Sequence, residues 1–304
     1  MIKRKAYAKI NLSLDVLRRR EDGYHDVKMV MQTVDISDDL TFEKISINEP
    51  LDNDIHCDRN IKLDVLNVPT NADLGPVEDN LIYKTAKMIM DKYNVKSGVK
   101  ITLDKHIPVA AGMAGGSTDA AAVFHGLNEL FDLNMTCEDM CKMGVKIGAD
   151  VPYCIMGGTS LSEGIGEVLT PIEAPPECTL LIAKPDIAVS TKYVYENLHA
   201  NELKYHPDVD GMIKAIKDKD IVKMSNLLGN VLETVTTDKY PIIRQIKQVM
   251  IDMGALNSLM SGSGPTVFGI FKKDDGLKAH EALEKIKEMD LSNEVFVTKF
   301  INSI

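Results

Sequence analysis

The stretch from Ile107 to Ala122, IPVAAGMAGGSTDAAA, constrains this chain more than any other. Before it, Val99, Ile101 and Leu103 alternate with Lys100, Thr102 and Asp104, the period of a strand. After it, Val123, Leu127, Leu130 and Phe131 recur at i, i+4, i+7 and i+8, the period of a helix. Between the two, Gly112, Gly115 and Gly116 sit among small alanines, and Ser117, Thr118 and Asp119 read as N-cap residues. A loop of this kind lets backbone N–H groups approach an anion, and the helix dipole adds about half a positive charge at the same end. The stretch therefore reads as a phosphate cradle. It is not a P-loop, because Gly116 is followed by Ser117 and no lysine. Nor is it the dinucleotide fingerprint, because Gly112-x-x-Gly115-Gly116 has the wrong spacing and lies far into the chain. On these residues alone, a tight helix–sheet contact that admits only small side chains stays open as an alternative.

The 304 residues, 44% apolar and 26% charged, suffice for two globular domains rather than a disordered segment. No apolar run reaches the roughly 18 residues of a membrane span. Met1-Ile2-Lys3-Arg4-Lys5 leads into alternating residues instead of a continuous apolar core, so a signal peptide is not expected. A cytoplasmic protein without a membrane partner follows as the default. The net charge of −10 argues against nucleic acid as a partner. Residues 1–31 run the other way, with Lys3, Arg4, Lys5, Lys9, Arg18, Arg19, Arg20 and Lys28 against Asp15, Glu21, Asp22 and Asp26. That excess suits an anionic small molecule, although a solvated basic face has the same composition. Cys57, Cys137, Cys141, Cys154 and Cys178 form no C-x-x-C pair, and Cys137 and Cys141 lack partners at zinc spacing. All five read as reduced structural thiols.

Ala6, Ala8, Ile10, Leu12, Leu14 and Val16 alternate with Lys5, Tyr7, Lys9, Asn11, Ser13 and Asp15, which predicts a half-buried strand. Lys9 and Asn11 then share a face, about 7 Å apart. Asp22-Gly23 marks a turn, with Tyr24 and His25 directly after it. Strands are expected over 27–36 and 40–47, and loops with one or two short strands over 48–78. Asp79 or Asn80 starts a helix with Ile82, Ala86, Ile89, Met90 and Tyr93 on one face. Thr136-x-x-Asp139 resembles a capping box for a helix ending at Gly148. Gly148-Ala149-Asp150-Val151-Pro152 reads as a compact turn carrying one acid. Glycines and prolines multiply beyond residue 158, where the domain boundary is placed: 1–158 and 159–304. Helices are expected near 208–218, 220–234 and 242–252. A strand at 256–260, a second glycine loop Ser261-Gly262-Ser263-Gly264-Pro265, a strand at 266–272, a helix at 275–289 and a strand at 295–301 then suggest a ferredoxin-like arrangement.

The strand bearing Lys9, the glycine loop at 112–116 and the second loop at 262–264 together resemble the three motifs of the GHMP small-molecule kinases. Residues 8–17 (AKINLSLDVL), Asp22-Gly23-Tyr24-His25, Met31-Gln32-Thr33, 108–122, 148–152 and 261–266 resemble, in order, the branch of that family that acts on CDP-methylerythritol. The resemblance spans nearly the whole chain. Gly23-Tyr24-His25 is among its most specific parts, whereas the glycine loop alone is not. It implies an α+β two-domain fold, with an N-terminal S5-like nucleotide-binding domain and a C-terminal ferredoxin-like domain. It also implies an ATP-dependent kinase that phosphorylates the 2-hydroxyl of the methylerythritol part of a CDP-linked substrate, in the non-mevalonate isoprenoid pathway.

By the same resemblance, Asp150 acts on the acceptor hydroxyl with Lys9 beside it. Pro108, Val109, Ala110, Ala111, Gly112, Met113, Ala114, Gly115, Gly116, Ser117 and Thr118 bind ATP. Tyr24 and His25 hold the cytosine, Tyr195 stacks on its other side, and Asn11 and Thr191 make polar substrate contacts. These residue types suit those roles. A carboxylate takes an alcohol proton, an ammonium stabilises developing charge, a neutral histidine meets a base edge, and aromatic faces stack on bases. Met113 stands where leucine is usual and Thr118 where serine is usual. ATP and Mg2+ are the implied cofactors. No acidic magnesium ligand stands out, which leaves Ser117 as the candidate. A monomer or weak homodimer is expected. His56, His106, His125, His206 and His280 show no ligand spacing. Two rivals are weighed. Mevalonate, phosphomevalonate or homoserine kinases act on substrates without a base, against Gly23-Tyr24-His25. A non-catalytic sensor on the same fold has no need of both Lys9 and Asp150.

Overall fold

The computed structural model describes residues 1–46, 60–67 and 76–302. In chain order the elements are β1 (Ile2–Arg19), β2 (His25–Ile45), β3 (Ile61–Leu66), α1 (Leu81–Lys92), β4 (Gly98–Asp104), α2 (Gly115–Leu130), α3 (Cys137–Gly144), α4 (Val151–Met156), β5 (Thr159–Glu163), β6 (Val168–Pro171) and β7 (Cys178–Lys184). Then follow α5 (Thr191–Glu196), α6 (Val209–Lys217), α7 (Ile221–Asn226), β8 (Gly229–Asn230), α8 (Glu233–Lys239), α9 (Ile242–Asp252), β9 (Asn257–Met260), β10 (Val267–Lys272), α10 (Gly276–Glu288) and β11 (Glu294–Thr298). They pack as two compact units. The first is Met1–Ala8, Ile36–Val109 and Ala114–Met156; the second is Lys9–Asp35, Ala110–Met113 and Gly157–Ile304. The units are not contiguous in sequence. The two long strands and the middle of the first glycine loop pass from one to the other.

In the first unit, β4 lies antiparallel to Asp39–Ile45 of β2 and parallel to β3. Val99, Ile101 and Leu103 are all at most 2% exposed, so the alternation read from sequence is the core face of β4. Asn80 caps α1, its Oδ1 accepting from the Ile82 N–H at 2.9 Å. Thr136 and Asp139 form the expected capping box at the start of α3. Helix α2 comes so close to the sheet that a Cβ on Gly126 would lie 2.5 Å from the Phe42 ring, which only glycine permits.

In the second unit, β7, β9, β10 and β11 form an antiparallel sheet in the order β11-β7-β10-β9, with α9 and α10 packed against it. With α10 between β10 and β11, this is the strand order of a ferredoxin-like domain. Lys9–Asp35 makes a hairpin, with β8 beside Ser13 and Leu14 and β5 beside Met29–Gln32.

Several expectations change. From Ala8 to Val16 the strand expected over 5–16 is buried on both faces, and only Lys5 and Tyr7 on its polar face keep exposure: Lys9, Asn11, Ser13 and Asp15 are at most 5% exposed. Residues 27–36 and 40–47 belong to one continuous strand as far as Ile45, because Asp38, which falls between the two expected strands, is wholly buried and hydrogen-bonded. The helix expected over 220–234 breaks at Gly229–Asn230, which add to β1 as a parallel strand. Helix α3 stops at Gly144, four residues short of Gly148. Of the loops expected over 48–78, residues 48–59 and 68–75 lie outside the described residues; the short strand expected there is β3.

Candidate active site

In the first unit, the glycine loop enters helix α2 as expected, but the helix starts earlier than its cap residues suggest. Ala114 occupies the N-cap position with φ +59°, in the left-handed region. Ser117, Thr118 and Asp119 lie within the first turns instead. Two of these side chains have tertiary partners in place of helix N–H groups. Thr118 Oγ1 donates to the Tyr7 carbonyl at 2.7 Å, and Asp119 pairs with Lys105 at 3.0 Å. Gly116 is exposed, so the N-terminal turn of α2 stands open to solvent. A Cβ on Gly148 would lie 3.8 Å from Ser117 Oγ, which brings the turn carrying Asp150 beside the start of α2. Asp150 is half-buried immediately before α4, its carbonyl accepting from the Cys154 N–H at 3.0 Å.

Behind the loop lies a buried charged cluster that the sequence reading did not single out. Lys105 Nζ donates to Asp38 Oδ2 at 2.5 Å and to Asp119 Oδ2 at 3.0 Å. Asp38 Oδ1 accepts from the His106 and Ile107 N–H groups at 2.6 and 2.7 Å. Burial pushes the Asp119 carboxyl up to about 8, against the pull of Lys105. Burial opposes the Lys105 ammonium, but Asp119 and Asp38 outweigh it and hold its pKa above the usual lysine value. Asp119 Oδ1 is buried without a partner. The alternating pattern of β4 gave no signal for this cluster, since Lys105 follows the last strand residue and Asp38 falls between the strands expected over 27–36 and 40–47.

In the second unit, Lys9 Nζ donates to Asn11 Oδ1 at 2.9 Å, the same-face pair expected from strand period. The Lys9 N–H donates to the Met113 carbonyl at 3.1 Å, tying β1 to the middle of the first glycine loop. There a Cβ on Gly112 would lie 2.5 Å from the Ser261 carbonyl, and its φ is +71°, so no side chain fits. Ser261 Oγ returns a hydrogen bond to the Gly112 carbonyl at 3.0 Å. The second glycine loop is held in turn by Asn230, whose Nδ2 donates to the Met260 and Gly262 carbonyls at 2.8 Å. Thr191 Oγ1 and Ser263 Oγ lie 2.8 Å apart, and Thr236 Oγ1 donates to the Ser263 carbonyl. The second unit therefore gathers Lys9, Asn11, Ala110–Met113 and Thr191 at the second glycine loop. Asn230 and Ser261 were not among the expected site residues.

His25 and Tyr195 also meet here, ring centroids 5.1 Å apart at 42°. His25 is 7% exposed, and its Nε2 is buried with no hydrogen-bond partner. Burial first, and the Arg19 charge second, push its pKa below the usual histidine value, so the ring is neutral near pH 7. Tyr24 is 59% exposed on a turn fixed by its own N–H to Asp22 Oδ1 at 3.1 Å.

Among the described residues, no group of three or more His, Cys, Asp or Glu is placed to hold a metal ion, and Cys137, Cys141, Cys154 and Cys178 form no disulfide. No helix among them is long and apolar enough to cross a membrane.

The family models for the GHMP kinases N terminal domain and the GHMP kinases C terminal match residues 80–158 and 212–288. A 4-diphosphocytidyl-2-C-methyl-D-erythritol kinase of Lachnoclostridium phytofermentans is 49% identical over 303 residues, covering 100% of this chain and 98% of that protein. One of Lachnospira eligens is 48% identical over 299 residues, covering 98% of each. A crystal structure of 4-(cytidine 5'-diphospho)-2C-methyl-D-erythritol kinase superposes with a TM-score of 0.78 at 27% identity, covering 98% of this chain and 99% of that one. With this fold, these motifs and these relatives over its full length, the chain belongs to the 4-diphosphocytidyl-2-C-methyl-D-erythritol kinase family of GHMP kinases.

Proposed function

We propose that this enzyme transfers the γ-phosphoryl group of ATP to the 2-hydroxyl of 4-diphosphocytidyl-2-C-methyl-D-erythritol, and that residues gathered on both glycine loops carry the reaction. The observation that carries the substrate half of this reading is His25. It is a neutral, buried imidazole with an unpartnered Nε2, packed on the Tyr195 ring. A buried orphan of this kind costs about 1–3 kcal/mol until a ligand pairs with it. The edge of a cytosine supplies donors and acceptors, and its face stacks on an aromatic ring.

Phosphoryl transfer asks chiefly for positioning and charge stabilisation. In this reading Asp150 orients the acceptor hydroxyl and takes its proton at a carboxylate oxygen. Lys9, its ammonium already oriented by Asn11 Oδ1, stabilises the charge that develops on the acceptor oxygen. The open first turn of α2 supplies backbone N–H groups to the triphosphate, with Pro108 to Thr118 as its walls. Asn11 and Thr191 hold the polar substrate between its base and its hydroxyl.

Mg2+ belongs to the same proposal. It binds through one or two protein oxygens plus phosphates and water. The Ser117 hydroxyl, half-buried beside Gly148, suits that requirement, whereas Asp119 is committed to Lys105. Bound there, the ion supplies neutralisation of phosphate charge. We also propose a domain division at residue 158, and an enzyme that works in the cytoplasm as a monomer or weak homodimer. The net charge of −10 supports the absence of a nucleic-acid partner.

The test is ATP consumption with the CDP-linked alcohol beside mevalonate and homoserine. Turnover confined to the CDP-linked alcohol is the expected result; equal turnover of mevalonate or homoserine overturns the reading.

A further inference from the structure

The first glycine loop leaves β4 at Lys105 and rejoins regular structure at α2, and one buried cluster grips both ends. At the entry, Asp38 Oδ1 accepts the consecutive N–H groups of His106 and Ile107 at 2.6 and 2.7 Å. At the exit, Asp119 lies one turn into α2 and takes Lys105 Nζ at 3.0 Å. Lys105 joins the two, because its ammonium also reaches Asp38 Oδ2 at 2.5 Å. All three side chains are at most 6% exposed. A Cβ on Gly115, the first residue of α2, would stand 3.1 Å from Lys105 Nζ, so the ammonium lies directly behind the helix start.

We infer that Asp38, Lys105 and Asp119 act as a positioning staple, which fixes the separation between the entry of the glycine loop and the first turn of α2 and thereby sets the affinity for ATP without touching it. The physical reason is geometric. Backbone N–H donors grip an anion only when several converge on one point, and a loop rich in glycine and alanine loses that convergence cheaply. A charged link between its two ends restricts the loop more than any contact made by its own small side chains. Ion pairs as buried as this one are weak sources of net stability, and a role in holding one arrangement is the better-attested reason to retain them. The inference rests on the reading of 108–118 as the ATP loop.

Asp119→Leu is the informative variant. It cuts the link at the exit with an apolar side chain of similar branching, though a larger one, and it leaves one ammonium beside one carboxylate, so no buried charge is stranded. ATP binding is measured by calorimetry in the absence of the second substrate, together with KM for each substrate and kcat. The staple requires ATP affinity to fall at least tenfold, with KM for the CDP-linked alcohol changed less than twofold. Asp119→Asn, which still accepts from Lys105 through its amide oxygen, restores ATP affinity to within threefold of the native enzyme.

ATP affinity within twofold of native in folded Asp119→Leu overturns the inference, as does an equal loss for both substrates. If Asp119→Leu does not fold, Asp38→Asn decides, since an amide nitrogen cannot replace the oxygen facing Lys105. Three- to tenfold weaker ATP binding supports the staple, and unchanged binding overturns it. Gly116→Val separates the two ideas, because it blocks the exposed face of the loop and leaves the cluster alone. If Gly116→Val binds ATP normally, the ATP-loop reading fails. If Gly116→Val weakens ATP but Asp119→Leu does not, only the staple fails.

Discussion

The two glycine loops are held by opposite chemistry. The ends of the first are fixed by a buried ammonium and two carboxyl groups, Lys105 with Asp38 and Asp119. The second, at 261–265, is fixed by neutral groups: the Asn230 amide on two carbonyls, and the Thr236 hydroxyl on a third. Asn230 also accepts the Leu232 N–H at 2.9 Å, so each polar group on its amide has a partner. The difference is one of cost when a member is lost. Removing one partner of a buried ion pair strands a charge, at about 3–5 kcal/mol. Removing a neutral donor strands carbonyls, at about 1–3 kcal/mol. The charged anchor is therefore brittle and specific, while the neutral one tolerates more. The same division runs through function. In the proposed reaction the first loop takes the more highly charged ligand, ATP, while the second, with its hydroxyls and amides, suits a polar alcohol.

The experiments that press hardest on this comparison concern the chemistry both loops serve. Asp150→Asn is expected to lower kcat by about 100- to 10,000-fold while both substrates still bind, as for loss of a proton acceptor; near-normal turnover in a steady-state assay removes Asp150 from the proposal. Next in size is the stability contrast itself. Lys105→Met is expected to lose about 3–5 kcal/mol in urea unfolding, and Asn230→Ala about 1–3 kcal/mol. Equal losses erase the distinction between the two anchors.

At the base end, His25→Ala is expected to raise KM for the cytidine substrate and to blunt its preference over a uridine analogue, since the unpaired Nε2 is gone. Tyr195→Ala is expected to weaken both analogues alike, by about 1–3 kcal/mol of stacking. Full cytosine preference in His25→Ala sinks the base-reading role. The smallest effect is on pH. The folded-state pKa of His25 lies below its ordinary value of 6.5, so the neutral ring's contribution is fully present above pH 6.5. That contribution is lost only as pH falls through the lowered value. KM for the cytidine substrate is expected to stay flat from pH 6.5 to 8 and to rise below that range; a rise that begins above pH 6.5 contradicts a buried neutral His25.

Much of the architecture was legible because it rests on period and spacing. The alternation of β4, the caps Asn80 and Thr136, the same-face pair Lys9 and Asn11 and the Asp22-Gly23 turn depend on neighbours within a few residues, and each stands where the residues place it. What failed were elements whose fate is settled by distant groups. Asp38 and Asp119 carry the residue types of turns and caps, yet both are buried, because an ammonium from Lys105 reaches them across 67 and 14 residues of chain. Gly229 and Asn230 interrupt a helical pattern because β1 offers hydrogen bonds on a free edge. Gly115 reads as an open phosphate contact, but the direction of its missing Cβ turns it toward Lys105 and leaves Gly116 as the exposed position. Local period thus determined which segments are strands and helices and which loops carry glycine. Only tertiary structure decided where each charge goes, because a buried charge takes its place from partners that the sequence sets far away.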